Sequence, residues 1–186
     1  MATLKKVLKI VAIVVALIIV IPLVAALFVK KDYSVEREIT INRPAHEVFD
    51  YIKYLRNQDN YSVWATMDPD MKQEFRGTDG TVGFVSAWEG NEDVGKGEQE
   101  IVRIVEGERI EYEVRFIEPF EARANSFMAE DSLSENQTSV TWGFESRMRY
   151  PMNLMLLFMD IEAAIGNDLA SGLVNFKELL ENEPGE

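Results

Sequence analysis

The chain has 186 residues, 47% hydrophobic and 27% charged, which suits one globular domain with an appendage. Residues 1–31 hold Lys5, Lys6, Lys9, Lys30 and Lys31 and no acid, leaving 14 basic against 32 acidic residues downstream, a net charge of −18 there. A surface of that sign repels phosphate backbones and so excludes nucleic-acid binding, and the absence of cysteine removes disulfides, thiolate nucleophiles and Cys-ligated zinc.

Ile10 to Val29 is a run without charge. At ~1.5 Å per residue it reaches ~30 Å as a helix, the thickness of a bilayer core. We expect a transmembrane anchor over 7–29, with Pro22 tolerable inside it. The alternative is a cleaved signal peptide, with Val24-Ala25-Ala26 as the small-residue cleavage site. Lys5, Lys6 and Lys9 precede the run, and Lys30, Lys31, Arg37 and Arg43 follow it. These nearly balance, so the positive-inside rule leaves either side open to the rest of the chain.

Tyr33–Ile41 alternates and predicts a strand. Asn42 then reads as the cap of a helix, with Pro44 in the first turn and Val48, Phe49 and Ile52 as its apolar stripe. A short second helix is expected over Tyr54–Asn60, then a loop at Asp68-Pro69-Asp70. Strands follow at Lys72–Arg76, Val82–Trp88, Gly97–Val105 and Ile110–Phe116, with Asp79-Gly80 and Glu106-Gly107 as turn signals. Ala122–Leu133 and Thr138–Arg147 form the last hairpin. The period then changes: Ile161, Ile165, Leu169, Gly172, Leu173, Phe176 and Leu180 fall at helical spacing. Helices segregated from an antiparallel meander argue an α+β fold, and a curved sheet around one long helix leaves room for a ligand between them.

Four stretches carry a likeness to a known family: VEREITINRPAHEVFDYI at 35–52, YSVWATMDPDMK at 61–72, VGFVSAWEGNEDVGKGEQEI at 82–101, and RYPMNLMLLFMD…GLVNFKELL at 149–180. Over 33–182 the chain resembles the START-like, helix-grip superfamily, also called SRPBCC or polyketide cyclase/dehydrase-like, in its membrane-anchored bacterial branch. The resemblance implies a curved antiparallel sheet of about six to seven strands around a long C-terminal helix, here preceded by one transmembrane helix. It also implies a cavity beneath that helix for a hydrophobic molecule such as a lipid, sterol or aromatic polyketide. It implies no cofactor and carries no shared set of catalytic residues. A cyclase or dehydratase acting on such a substrate is one alternative; an interaction module with a filled core is another.

The residues themselves offer little chemistry. His46 is the single histidine and lies on the first helix, where a surface position is expected. Glu89, Glu92 and Asp93, and Asp68 with Asp70, lack the calcium-loop pattern, so no metal site is expected. Gly95-Lys96-Gly97 lacks a phosphate loop's context and reads as a hairpin turn. Asn60-Tyr61-Ser62 and Asn136-Gln137-Thr138 match glycosylation sequons, which arise often by chance. Tyr112, Glu100 and Arg103 are the groups to inspect for proton transfer, against the plainer expectation that Tyr112 is core and the charges face solvent.

The aromatic and methionine content is more informative. Phe84, Trp88, Tyr112, Phe116, Phe127, Trp142 and Phe144 fall on strands expected to line the inner sheet. Met148, Met152, Met155 and Met159 cluster before the last helix. These residues either fill a core outright or border a cavity. Phe84, Trp88, Tyr112, Phe116, Phe127, Trp142, Phe144 and Met155 are the expected cavity wall, with a small hydrophobic ligand and the bilayer as the expected partners.

Overall fold

A computed structural model describes residues 2–182, with side chains from Leu4 onward. The chain divides into two units. One comprises the residues up to Asp32 together with Met148–Ile161; the other is Tyr33–Arg147 together with the residues from Glu162.

In the first unit, α1 (Ala2–Ala26) contains Pro22, and its stretch Leu4–Ala26 is long and apolar enough to cross a membrane. The last carbonyls of a helix have no partner within it. Here side chains from 148–157 supply them. Tyr150 Oη donates to Leu23 O at 3.2 Å, and Asn153 Nδ2 donates to Ala26 O at 2.8 Å and Val29 O at 3.1 Å. Met148 N donates to Lys31 O at 2.8 Å. Asn153 is the second residue of the 3-10 helix Met152–Leu157 and is fully buried, while Leu157, Phe158 and Met159 lie exposed.

The second unit is built on a sheet of seven strands in the order β1-β7-β6-β5-β4-β3-β2. They are β1 (Asp32–Ile41), β2 (Lys72–Arg76), β3 (Val85–Glu89), β4 (Lys96–Val105), β5 (Arg109–Glu118), β6 (Ala122–Ser134) and β7 (Gln137–Arg147). Successive strands from β2 to β7 pair antiparallel. Register shifts interrupt β4–β5 and β6–β7, and such bulges bend a sheet and raise its twist. The period of two decides which face each side chain takes. Ile110, Tyr112 and Val114 of β5, Ala124, Ser126 and Met128 of β6, and Val140 and Trp142 of β7 are buried on the inner face. α2 (Ala45–Ile52) adds Val48, Phe49 and Ile52 to this core, and α3 (Ile161–Asn182) adds Leu169, Leu173, Phe176 and Leu180.

Three local expectations differ from the structure. Asn42 does not cap α2. Pro44 holds an extended backbone at the N-cap position, so the helix starts at Ala45, beyond the reach of Asn42. Asn42 instead donates from its N and Nδ2 to Glu181 Oε1 at 2.7 and 2.8 Å, and accepts from Gln137 Nε2 at 2.9 Å. With Arg43 Nε donating to Leu180 O at 2.9 Å, it fastens the end of α3 to the start of α2. Tyr54–Asn60 is a 3-10 helix, Leu55–Asn60, followed by a second one at Val63–Thr66. β3 begins at Val85 rather than Val82, because Gly77, Gly80 and Gly83 take positive φ and turn the backbone immediately before it.

One inward side chain breaks the apolar pattern. Glu130 of β6 is 5% exposed, and its Oε2 is buried without a hydrogen-bond partner among the described residues. Burial, reinforced by the nearby carboxylates of Asp131 and Asp50, pushes its carboxyl up to about 7. The folded state therefore favours the protonated acid. That contribution to stability is fully present below the ordinary carboxyl value near 4.5 and is lost as pH rises through about 7. Glu130→Gln is expected to raise stability at pH 8 by about 1–2 kcal/mol and to leave it nearly unchanged below pH 5, as read by thermal unfolding across pH.

Candidate functional site

A cavity of about 360 Å³ lies between the inner face of the sheet and α3 with the two 3-10 helices. α3 is held off the sheet by large rings. Tyr61, 1% exposed, meets Phe176 of α3 with ring centroids 4.8 Å apart and Trp142 of β7 at 5.7 Å edge-on. Its hydroxyl donates to Met128 Sδ at 3.1 Å, and its carbonyl accepts from Asn175 Nδ2 of α3 at 3.1 Å. A ring wedged between helix and strand keeps small side chains from closing the gap beside it.

The sheet supplies one wall. Val114 and Phe116 of β5, Trp142 and Phe144 of β7, Trp88 of β3 and Ser126 of β6 all border the space. Ile165 and Leu169 of α3 face them, together with Leu55, Trp64 and Ala65 from the 3-10 helices. Two glycines make the tryptophan placements possible. A Cβ on Gly97 would clash with the Trp88 ring and lie 2.7 Å from Arg115 O, so only glycine lets the indole lie across β4, where it meets Phe116 edge-on at 6.2 Å. A Cβ on Gly172 would stand 2.8 Å from the Trp142 ring, so its absence admits that ring beneath α3. The Trp142 Nε1–H donates to Ser126 Oγ at 3.3 Å, and Ser126 donates to Gly143 O at 2.9 Å, which satisfies the one polar edge of the indole.

Polar groups gather on one side of the space. Gln58, Asp59, Ser62, Gln73, Ser86, Gln99 and Asp93 border it, and Asp93 and Gln73 are exposed where it opens. Asp59 Oδ1 accepts from Gln73 Nε2 at 3.0 Å. Burial pushes the Asp59 carboxyl up; the Gln73 hydrogen bond opposes this, the Asp79 carboxylate adds to it, and Arg56 works weakly the other way. Gln58 is 8% exposed; its Oε1 accepts from Gln99 Nε2 at 3.3 Å, while its Nε2 is buried with no partner among the described residues. The loop at the opening is braced by Asn91 N donating to Asp68 Oδ2 at 2.7 Å.

Of the residues expected to form the wall, Trp88, Phe116, Trp142 and Phe144 border the cavity. Phe84 and Tyr112 are instead buried in the core, where Phe84 stacks on Phe75 at 6.1 Å. The Tyr112 hydroxyl is buried beside Gln58 but outside hydrogen-bond geometry, and burial pushes the phenol up, so it stays protonated. Phe127 lies on the opposite face of β6 from the buried Ser126 and Met128. There it covers Gly143 and accepts the Arg109 guanidinium 3.5 Å above its ring. The two-residue period forbids Phe127 and Ser126 from sharing a face, so Phe127 does not line the cavity. Met155 belongs to the 3-10 helix of the first unit.

Glu100 and Arg103 also lie outside the cavity. Arg115 bonds Glu98, Glu113 and Glu100 at 2.7, 2.6 and 2.7 Å, and Arg103 approaches Glu111 at 3.4 Å. His46 is exposed. The polar side of the cavity, Gln58, Asp59 and Gln99, comes from a polar 3-10 helix and from β4, segments far apart in the chain that only the fold brings together.

Residues 32–181 match the family described as polyketide cyclase / dehydrase and lipid transport. Comparison with curated proteins gives no match. Among solved structures, the fold is similar to norcoclaurine synthase from Thalictrum flavum in complex with dopamine and hydroxybenzaldehyde, at 11% identity and a TM-score of 0.64, over 83% of this chain and 90% of that one. It is similar to ginseng major latex-like protein 151 from Panax ginseng at 18% identity and a TM-score of 0.56, over 80% and 97%. A Thermus thermophilus protein shares the fold at 16% identity and a TM-score of 0.59, over 82% and 100%. Such identities bear on the fold alone, whereas the family match spans most of the chain: the chain belongs to the polyketide cyclase / dehydrase and lipid transport family, with the START-like, helix-grip fold.

Proposed function

We propose that this protein is a membrane-anchored binding protein that takes a small apolar or amphipathic, lipid-like molecule into the cavity between its sheet and α3. The carrying observation is the cavity itself, about 360 Å³ and walled mainly by aromatic and aliphatic side chains. Its size falls within the ordinary range of small-molecule sites, and burying a ligand there gains about 25 cal/mol per Å² of apolar surface. A filled-core interaction module would leave only small voids, so a space of this size speaks for binding. The family description, which includes lipid transport, supports the same reading.

The anchor forms the second half of the proposal, with limits of 7–29 for the membrane segment and 33–182 for the binding domain. Supporting it, the charge-free run is flanked by lysines, and its side chains from Ile10 to Val24 are exposed. The hydrogen bonds from Tyr150 and Asn153 to Leu23 and Ala26 favour retention over cleavage. Cleavage after Ala26 would remove the Leu23 and Ala26 carbonyls and leave the buried Asn153 amide with one of its two acceptors. The exposed Leu157, Phe158 and Met159 would meet acyl chains beside the anchor.

Two outcomes follow. Native mass spectrometry of protein extracted gently from its own membrane should show a bound small molecule, and Val114→Phe, which fills the cavity with apolar volume, should lose it while melting within a few degrees of the parent. A wild-type protein without adduct, or a variant that keeps it, would overturn the binding reading. Separately, protein recovered from membranes after alkaline carbonate washing should have an intact mass that includes residues 7–26; a mature chain starting near Leu27 would overturn the anchor.

A further inference from the structure

The cavity carries charge of one sign only. Asp59 and Asp93 border it, and among the described residues that line it there is no lysine, arginine or histidine. Asp59 is the deeper of the two, half-buried where Asp93 is exposed at the opening. One of its oxygens accepts from Gln73 at 3.0 Å; the other has no hydrogen bond among the described residues. The cationic side chain nearest in effect, Arg56, is engaged elsewhere, lying 4.1 Å over the Phe75 ring and 3.9 Å from Asp79. An anionic head group entering here would meet a carboxylate with no compensating donor cation, at reduced dielectric. A cationic one would find an acceptor already desolvated.

One further observation points the same way. All three tryptophans of the chain, Trp64, Trp88 and Trp142, border this one cavity, and indole faces are the side-chain surfaces that best attract a cation.

We propose that the cavity selects amphiphiles with a protonated amine head and discriminates against carboxylate, sulfate and phosphate heads. Asp59 takes the ammonium, and the apolar body lies in the space that the tryptophans border. This rests on the reading of the cavity as a ligand site and adds the head-group class.

The tryptophans make the test direct, since each is a reporter within the site. Full-length protein in a neutral detergent is titrated near neutral pH with phenylpropylamine, phenylpropanol and phenylpropanoate, which share a tail and differ in head group, and tryptophan emission is read. The amine is expected to bind at least about tenfold more tightly than the acid, with the alcohol between them. Asp59→Asn should bring the amine to the level of the alcohol. High salt should weaken the preference only modestly, because a partly buried contact is screened less than the general attraction of an acidic surface. An acid that binds as well as the amine overturns the proposal on the wild-type protein alone, whether or not the variant folds. A preference that persists in Asp59→Asn, or that vanishes in salt, overturns the assignment to Asp59. If none of the three changes the emission, the binding reading falls and this proposal with it.

Discussion

Everything around the cavity depends on the spacing between α3 and the sheet, and Tyr61 is wedged in that gap. Its ring lies between Phe176 and Trp142, its hydroxyl is satisfied by Met128, and its carbonyl is tied to Asn175 on the helix. Protein interiors pack to near-crystalline density, so a separation wide enough for aromatic rings at one place leaves space where the neighbouring side chains are shorter. Ser126, Val114, Ala65 and Ser62 are such side chains, and all border the cavity. The far end is closed by the bonds of Asn42 and Arg43 to the end of α3. The helix is thus pinned at its C-terminal end and propped along its middle.

The distribution of polar groups follows from the same geometry. Strands place residues alternately on two faces, so the acidic strand residues that dominate the composition go outward, where Arg115 gathers Glu98, Glu100 and Glu113. The inner face of β5 to β7 stays mainly apolar, with Ser126, Glu130 and Thr138 as its buried polar side chains. The polar side of the cavity comes from the 3-10 helices and from the strands at the sheet edge, whose inward positions hold Gln73, Ser86 and Gln99. A space bordered by tryptophans and, on its polar side, by Asp59 offers apolar and polar surface together, the combination that small-molecule sites use.

Much of the architecture was legible in the chain because period is a local property. The alternation at Ile110, Tyr112, Val114 and Phe116 placed β5 and its inner face correctly, and the helical spacing from Ile161 to Leu180 marked α3. Four wall residues, Trp88, Phe116, Trp142 and Phe144, were legible from the same alternation. Phe127 was not, because a hydrophobic ring on a strand was assigned inward when its neighbours Ser126 and Met128 already occupied that face; only Gly143 and Arg109 across the sheet explain why a phenylalanine is stable outside. Asn42 misled in a similar way, since the local pattern of a cap takes no account of a glutamate 139 positions later.

The amino-acid sequence by itself determined the family, the order of strands and helices, the apolar N-terminal helix and the absence of thiol chemistry, all of which rest on composition and on spacings of a few residues. Tertiary structure alone decided which aromatics border a cavity and which fill the core, and that, among the described residues, the charges lining that cavity are carboxylates. The reason is physical: enclosure arises from the distance between elements far apart in the chain, and that distance is set by the size of the rings wedged between them.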